Sequence, residues 1–153
     1  MDRFLSSAVN RIDAKGRVSV PASFRSVVQR QGWSELYATR HLEMPALEVG
    51  GPERLKEFEE RIAREDPLLR MADDLAYYYY GDGAFLKLDQ DGRITITDFI
   101  REHTGIASEV AFVGKGAMFQ MWEPERFRAY GAEVRARLVR RRQAAGPDPG
   151  RLE

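Results

Sequence analysis

The sequence has no cysteine and only two histidines among its 153 residues. The lack of cysteine excludes disulfide bonds and thiolate metal sites. His41 and His103 lack the spacing of a histidine metal site, so we expect them to lie at the surface or to cap loops. No apolar run approaches the ~18 residues of a membrane-spanning helix, and the first residues lack the apolar core of a signal peptide. We therefore expect a cytoplasmic protein with no membrane partner, metal or cofactor.

Net charge is also absent, because 24 basic residues balance 24 acidic ones. The charges are nevertheless distributed unevenly along the chain. Residues 1–30 carry six basic and two acidic side chains, residues 126–142 carry seven arginines and one glutamate, and residues 43–66 carry eight acidic and four basic side chains. Two basic segments and one acidic segment therefore lie within a neutral chain, and basic segments favour contact with an anionic partner.

One stretch of the chain occurs twice. Residues 12–25 read IDAKGRVSVPASFR and residues 88–101 read LDQDGRITITDFIR, which gives four identities and five conservative pairs without a gap. A second pair follows in the same order, because residues 47–55 read LEVGGPERL and residues 119–127 read FQMWEPERF. Two similarities in the same order predict a duplicated structural unit.

Each copy of the repeat predicts the same order of elements. Residues 18–20 and 94–96 alternate apolar and hydroxyl side chains, as half-buried strands do. Before each strand stands a turn that opens with aspartate and closes with glycine, DAKG or DQDG. The full order is strand, turn, strand, helix, strand, strand, helix, with a further helix over residues 67–80. One copy has too little core alone, so we expect an α+β protein whose halves interleave in one barrel-like sheet.

These residues resemble the MraZ family of bacterial transcription regulators. The resemblance covers about residues 4–142 and is carried by FLSSAVNRIDAKGRVSVPASFR, the second DxxGR turn and the PERF helix. It implies two tandem SpoVT-AbrB units of the swapped-hairpin, double-psi-like β-barrel type, which form an intramolecular pseudo-dimer with flanking helices. The implied division is unit 1 over 7–54, a helical connector over 55–82, unit 2 over 83–126, a C-terminal helix over 127–143 and a disordered tail over 144–153.

The resemblance also implies a function. It predicts a nucleoid-associated ring of eight or twelve identical subunits that binds short direct repeats in double-stranded promoter DNA, upstream of its own operon in the division and cell wall cluster. The family's D-x-x-x-R signature occurs here as Asp13 with Arg17 and as Asp89 with Arg93. One departure is Thr97, which stands where the family has a proline after the second turn, so we expect the second helix to start differently from the first.

The candidate DNA-binding residues cluster around the two turns, where a β-ribbon could reach phosphates or a groove. They are Lys15, Arg17, Arg93, Arg11 and Arg25, on turns shaped by Asp13, Gly16, Asp89 and Gly92. The first turn sums to +1 and the second, which contains Asp91, to −1, so we expect the first to be the stronger contact. The alternative is that each arginine only pairs with its aspartate and stiffens the turn.

The sequence also bears on functions other than DNA binding. A protein-binding assembly module of the same fold, without DNA reading, is the main alternative. We expect no enzymatic activity and no small-molecule substrate, because a phosphate-binding glycine loop, a nucleophile elbow and metal-ligand spacing are absent. Four consecutive tyrosines at 77–80 predict core and subunit contacts rather than base stacking, and the arginines of 135–142 predict a solvated helix end.

Overall fold

The computed structural model describes residues 2–146 and confirms the α+β class. The strands are β1 (Ser7–Arg11), β2 (Arg17–Ser19), β3 (Glu35–Arg40), β4 (Ala46–Gly50), β5 (Gly83–Lys87), β6 (Arg93–Thr95), β7 (Glu109–Lys115) and β8 (Met118–Trp122). The helices are α1 (Ala22–Gln31), α2 (Arg54–Ala63), α3 (Arg70–Ala76), α4 (Asp98–Thr104) and α5 (Pro124–Ala145), and a π-helical turn spans Tyr77–Gly81. No helix within the described range is long and apolar enough to cross a bilayer.

The strands pair mostly between the two halves of the chain. A six-stranded antiparallel sheet has the order β1-β7-β8-β4-β3-β5, and β2 pairs with β6 in a separate two-stranded sheet. The pairs β1–β7, β3–β5, β4–β8 and β2–β6 each join one half to the other. Only β3–β4 and β7–β8 pair within one half. Most of the backbone hydrogen bonds of either sheet therefore require both halves.

The sequence predicts that a glycine ends the first helix of each half, Gly32 in one and Gly105 in the other, and both ends are confirmed. Gly32 closes α1 with φ of +71°, and Gly105 closes α4 with φ of +76°. Glycine suits both positions because a left-handed residue without a Cβ satisfies the last carbonyls at no steric cost. Helix α1 buries Phe24, Val27 and Val28, which share one helical face.

Aromatic rings from both halves form the centre of the core. Phe24 lies 5.3 Å from Phe4 and 5.1 Å from Phe119, measured between ring centroids. Phe112 of β7 lies 6.1 Å from Phe119. Phe4, Phe24 and Phe119 are each at most 2% exposed. Because Phe24 belongs to the first half and Phe112 and Phe119 to the second, neither half encloses this cluster alone.

Several element bounds differ from the expectation. The sequence predicts that Pro52 is a first helical residue, but α2 begins at Arg54 because residues 52–53 form a turn. The helix expected over 67–80 is instead α3 followed by the π-helical turn. Helix α3 starts only at Arg70 because Leu69 is extended. The π-helical turn forms where the Asp82 N–H donates to the carbonyls of Tyr77 and Tyr78. The C-terminal helix runs over Pro124–Ala145, past both ends of the 127–143 range, although its start at Pro124 is the first helical position that the proline predicts. Glu123 caps it by accepting from the Arg126 N–H. The expected tail otherwise falls at 147–153, outside the described residues.

Replacement of Phe24 by alanine tests the shared core. Phe24→Ala should lower the free energy of unfolding by about 3–5 kcal/mol in a single transition, because it opens a cavity between the halves. The control is Phe85→Ala. Because Phe85 is 51% exposed, this substitution should lower the free energy of unfolding much less. Urea denaturation followed by circular dichroism measures both. Equal losses of stability in the two variants would contradict a core shared by both halves.

Candidate nucleic-acid interface

The first turn is built around the carboxylate of Asp13. Its Oδ1 accepts the backbone N–H groups of Lys15 and Arg17, each at 2.9 Å. The Asp13 carbonyl accepts the Gly16 N–H at 3.0 Å, and the Asp13 N–H donates to the Arg17 carbonyl at 2.8 Å. Gly16 adopts φ of +79°, which a residue with a Cβ rarely does. Aspartate and glycine therefore have the turn roles predicted from their positions.

The second turn repeats this geometry. Asp89 Oδ1 accepts the N–H groups of Asp91 and Arg93, each at 2.9 Å, and Gly92 has φ of +75°. Each turn also holds its arginine. Arg17 Nε lies 3.0 Å from Asp13 Oδ2, and Arg93 Nε lies 3.0 Å from Asp89 Oδ2. The stiffening ion pair that was the alternative to DNA contact is thus present in both turns.

Pairing leaves both arginines accessible to solvent. The side chain of Arg17 is 29% exposed and that of Arg93 is 26% exposed. Arg17 donates from Nε and Nη2 to Asp13, which leaves the Nη1 donors of its guanidinium available. The aspartate therefore fixes the orientation of the arginine without covering it.

The β2–β6 pairing brings the two turns together. Val18 lies opposite Ile94 in this antiparallel pair. The Gly16 carbonyl accepts the Ile96 N–H at 2.8 Å, and the Gly92 carbonyl accepts the Val20 N–H at 3.0 Å. The closing glycine of each turn is thereby bonded to the residue that follows the other half's strand, and Arg93 beside the second turn comes within 3.8 Å of Asp13 in the first.

The charges on this surface are asymmetric. Arg93 lies within 4 Å of three carboxylates, at 3.0 Å from Asp89, 3.0 Å from Asp91 and 3.8 Å from Asp13. Arg17 is paired with Asp13 only. Lys15 is exposed and forms no ion pair with any described residue. The first turn thus has the more available positive charge, in the direction expected from the sequence.

The two flanking arginines lie in different environments. Arg25 donates from Nη1 to the Val20 carbonyl at 2.6 Å. Its stem covers the second turn so closely that a Cβ on Gly92 would lie 2.2 Å from Arg25 Cδ. Arg11 ends β1 and is exposed. Arg25 therefore supports the second turn from within the fold, whereas Arg11 faces solvent near the first.

One supporting contact was not predicted from the sequence. The Asn10 side chain donates to the Ser19 carbonyl at 2.7 Å and so links β1 to the end of β2. Asparagine in a strand is uncommon enough to be a signal, but its partner depends on the tertiary fold.

The remaining motifs contribute to structure within the described residues. Tyr79 stacks on Phe58 with ring centroids 4.0 Å apart, and the Tyr78 hydroxyl donates to the Arg40 carbonyl at 2.6 Å. Tyr77 and Tyr80 are exposed. His41 Nδ1 accepts the Met44 N–H at 2.9 Å and so caps its loop, as expected.

Hydrogen bonding changes the acidity of the turn aspartates. The backbone N–H of Arg17, more than any other group, lowers the pKa of Asp13 below its ordinary value, and the backbone N–H of Arg93 does the same for the pKa of Asp89. Both carboxylates are therefore more acidic in the folded chain than in the unfolded one. The stabilisation they provide is complete above the unfolded pKa of about 3.9 and is lost as pH falls through the folded pKa.

Comparison with known proteins identifies close relatives. A family model described as "MraZ protein, putative antitoxin-like" matches residues 80–145. A protein of Rhizobium leguminosarum bv. trifolii named "Transcriptional regulator MraZ" is 51% identical over 88% of this chain and 93% of its own length. A protein of the same name from Rhizobium meliloti is 50% identical over 88% of this chain and 92% of its own length. Another from Azorhizobium caulinodans is 42% identical over 98% of this chain and 96% of its own length.

An asparagine at position 13 tests the turn's dependence on charge. Asp13→Asn should lower the free energy of unfolding at pH 7, because a neutral amide oxygen is a weaker acceptor for two N–H groups and an arginine. The difference from wild type should shrink as pH falls below about 3.9, where the wild-type carboxyl also becomes neutral. Urea denaturation at pH 7 and pH 3 measures both differences.

Asp91→Asn is the matched control for this substitution. Asp91 carries the same charge in the equivalent turn and pairs with Arg93, but the backbone N–H groups of that turn donate to Asp89 instead. Asp91→Asn should therefore lower the free energy of unfolding at pH 7 by less than Asp13→Asn does. A loss at pH 7 that is as large for Asp91→Asn as for Asp13→Asn would contradict the role given to Asp13.

Proposed function

The chain belongs to the MraZ family, and on that premise we propose that it regulates transcription by binding double-stranded promoter DNA through its first turn. The observation that carries the proposal is the solvent-facing pair Lys15 and Arg17 on a rigid β-tip, where Lys15 is unpaired among the described residues and Arg17 is oriented by Asp13.

Each residue of the tip has a distinct role in this proposal. Lys15 is a mobile point charge suited to a phosphate. The Arg17 guanidinium is planar and can offer its remaining donors to a phosphate or to the O6 and N7 atoms of guanine in the major groove. Arg11, exposed at the end of β1, adds a further phosphate contact. Arg25 acts indirectly, by holding the second turn.

The second turn has a smaller part. Three carboxylates lie close to Arg93, so a phosphate approaching it is repelled as well as attracted. The proposed DNA contact is therefore led by the first turn, with Arg93 at its edge. Because the turns adjoin through β2 and β6, both can lie on the same stretch of duplex.

The duplicated fold supports a pseudo-dimer of swapped hairpins. The first strand of each half pairs with the third strand of the other, as β1 with β7 and β5 with β3, which is the exchange expected of two interleaved units. A single chain then offers one turn pair and few phosphate contacts. A ring of eight or twelve chains would place several pairs on successive direct repeats upstream of its own operon, and avidity can raise affinity about 10²–10⁴-fold when the spacing fits. Association with the nucleoid follows from the DNA partner.

A second candidate function has its own support. The six charged side chains of the two turns sum to zero, as three basic and three acidic residues, and the matching family model is described as antitoxin-like. A neutral, hydrogen-bonding tip suits a protein partner. A stable protein complex recovered together with no retention of promoter DNA at low salt would favour this assembly module over the regulator.

Neutralisation of Lys15 tests the phosphate contact without disturbing the fold. Lys15→Gln should weaken binding to duplex DNA from just upstream of the gene, and should make the slope of log K against log salt shallower by about 0.9 for each phosphate that the variant fails to neutralise. Fluorescence anisotropy across a salt series measures both quantities. Lys56→Gln, on the outer side of α2, is the control. Identical affinities and slopes for wild type and Lys15→Gln would remove Lys15 from the interface.

The asymmetry of the turns is tested by a matched pair of arginine variants. Arg17→Ala and Arg93→Ala each remove a bond to the aspartate of their own turn, so both should lower stability. Arg17→Ala should weaken promoter binding more, because Arg17 has fewer carboxylates around it. Thermal unfolding and anisotropy on the same preparations separate the two effects. A larger loss of DNA affinity in Arg93→Ala would reverse the assignment.

A further inference from the structure

Helices α2 and α5, each at a Pro-Glu-Arg stretch of the repeat, carry equivalent apolar faces. The rest of the chain covers these two faces to different extents. Leu55, Phe58 and Ile62 line one face of α2, and side chains between residues 75 and 79 pack on them. Tyr79 stacks on Phe58 at 4.0 Å, and Leu75 and Tyr78 pack against the same cluster. The apolar face of α2 is therefore covered by Tyr37 of β3, 5.8 Å from Phe58, and by residues that follow the helix in the chain.

The equivalent face of α5 is only partly covered, because Trp122 stacks on Tyr130 at 5.1 Å and the Arg137 guanidinium lies 5.6 Å from the centre of the Tyr130 ring, while the side toward the sheet stays open. Phe127, Tyr130 and Val134 occupy the positions of Leu55, Phe58 and Ile62 in the repeat. Together with Met44, Val113 and Trp122 they line an open cavity of about 330 Å³ between α5 and the sheet. No part of the chain between residues 2 and 146 fills it. Leu138 continues the same helical face and is 56% exposed.

The polar groups around this cavity are already bonded. The Trp122 indole N–H donates to Gln120 at 2.8 Å, and the Gln120 amide donates to Glu48 at 2.9 Å. Lys115 lies 3.7 Å from Glu48. A small polar ligand would find few free partners, whereas an apolar side chain would be buried among aromatic rings.

The outer side of the connector has side chains of this kind. Leu68, Leu69 and Met71 are 91%, 61% and 50% exposed. The flanking charges are complementary to those of α5, because residues 57–74 carry seven acidic and three basic side chains whereas α5 carries seven basic and two acidic ones. The connector of one chain therefore matches the α5 face of another in both polarity and charge.

We propose that residues 68–71 of one copy of this chain insert into the Trp122–Tyr130 cavity of a second copy, beside the arginines of α5. Two different surfaces meet in this contact, so each chain has one of each to offer, and repetition generates a ring or a filament rather than a closed dimer. The inference rests on the self-association in the proposed function and is independent of DNA contact.

Disulfide trapping tests the contact directly, because the chain has no native cysteine. A disulfide forms only when two Cα atoms lie within about 7 Å. The double variant Leu68→Cys with Val134→Cys should give, under mild oxidation without DNA, a ladder of linked species on a non-reducing gel. Each single variant should give no ladder. The double variant Leu68→Cys with Val139→Cys is the control, because Val139 is 49% exposed and so more accessible than half-buried Val134, but it lies on a different face of α5.

Sedimentation velocity on the unmodified chain distinguishes a wrong contact from an absence of self-association. Assembly without cross-linking of the 68/134 variant would overturn this contact and leave self-association intact. A chain that stays monomeric would overturn both the contact and the proposed ring. Linked dimers without longer species would show a two-fold contact and contradict the head-to-tail arrangement. If such a monomer still binds DNA, the proposed DNA binding through the first turn stands.

Discussion

The pairing of β2 with β6 is the constraint on which the rest of the structure depends. These two strands of three residues each come from different halves of the chain. Their pairing extends into the turns, where the carbonyls of Gly16 and Gly92 each accept a backbone N–H from the opposite half. The aspartates can hold their arginines in a fixed place only because the turns themselves are held there. The surface proposed to meet DNA is therefore a product of the interleaving.

Much of the local structure is predictable from the sequence. The DxxGR stretches predict both turns, because aspartate supplies an acceptor for the turn's N–H groups and glycine tolerates positive φ. The helix ends at Gly32 and Gly105 are predicted for the same steric reason. The partners of the strands are not predictable in this way, since alternation shows that residues 94–96 form a strand but not which strand they pair with. For the same reason the sequence makes Arg25 a candidate DNA ligand, whereas the fold places its stem over Gly92.

The connector is the segment that its sequence predicts least well. Four successive tyrosines have no helical face of their own, and contacts elsewhere in the fold decide their positions. Tyr79 is fixed by stacking on Phe58, and its carbonyl accepts the Tyr37 hydroxyl. This arrangement accompanies a π-helical turn rather than a continuous helix. The result is a difference between the halves: the first half carries the more available positive charge and a covered helix, and the second carries an acidic turn and an open cavity. The two halves thus share an order of elements and have separate proposed roles, one toward DNA and one toward other copies of the chain.

Hydrogen–deuterium exchange of the intact protein, with and without duplex DNA from upstream of its gene, tests the central claim most directly. The turns occupy separate peptides, and the glycine N–H of each is bonded within its own turn, so protection can be assigned to one or the other. We expect DNA to slow exchange most in the peptide covering residues 12–20 and less in that covering 88–96. Protection confined to α5, or no change in either turn at low salt, would contradict DNA binding through the first turn.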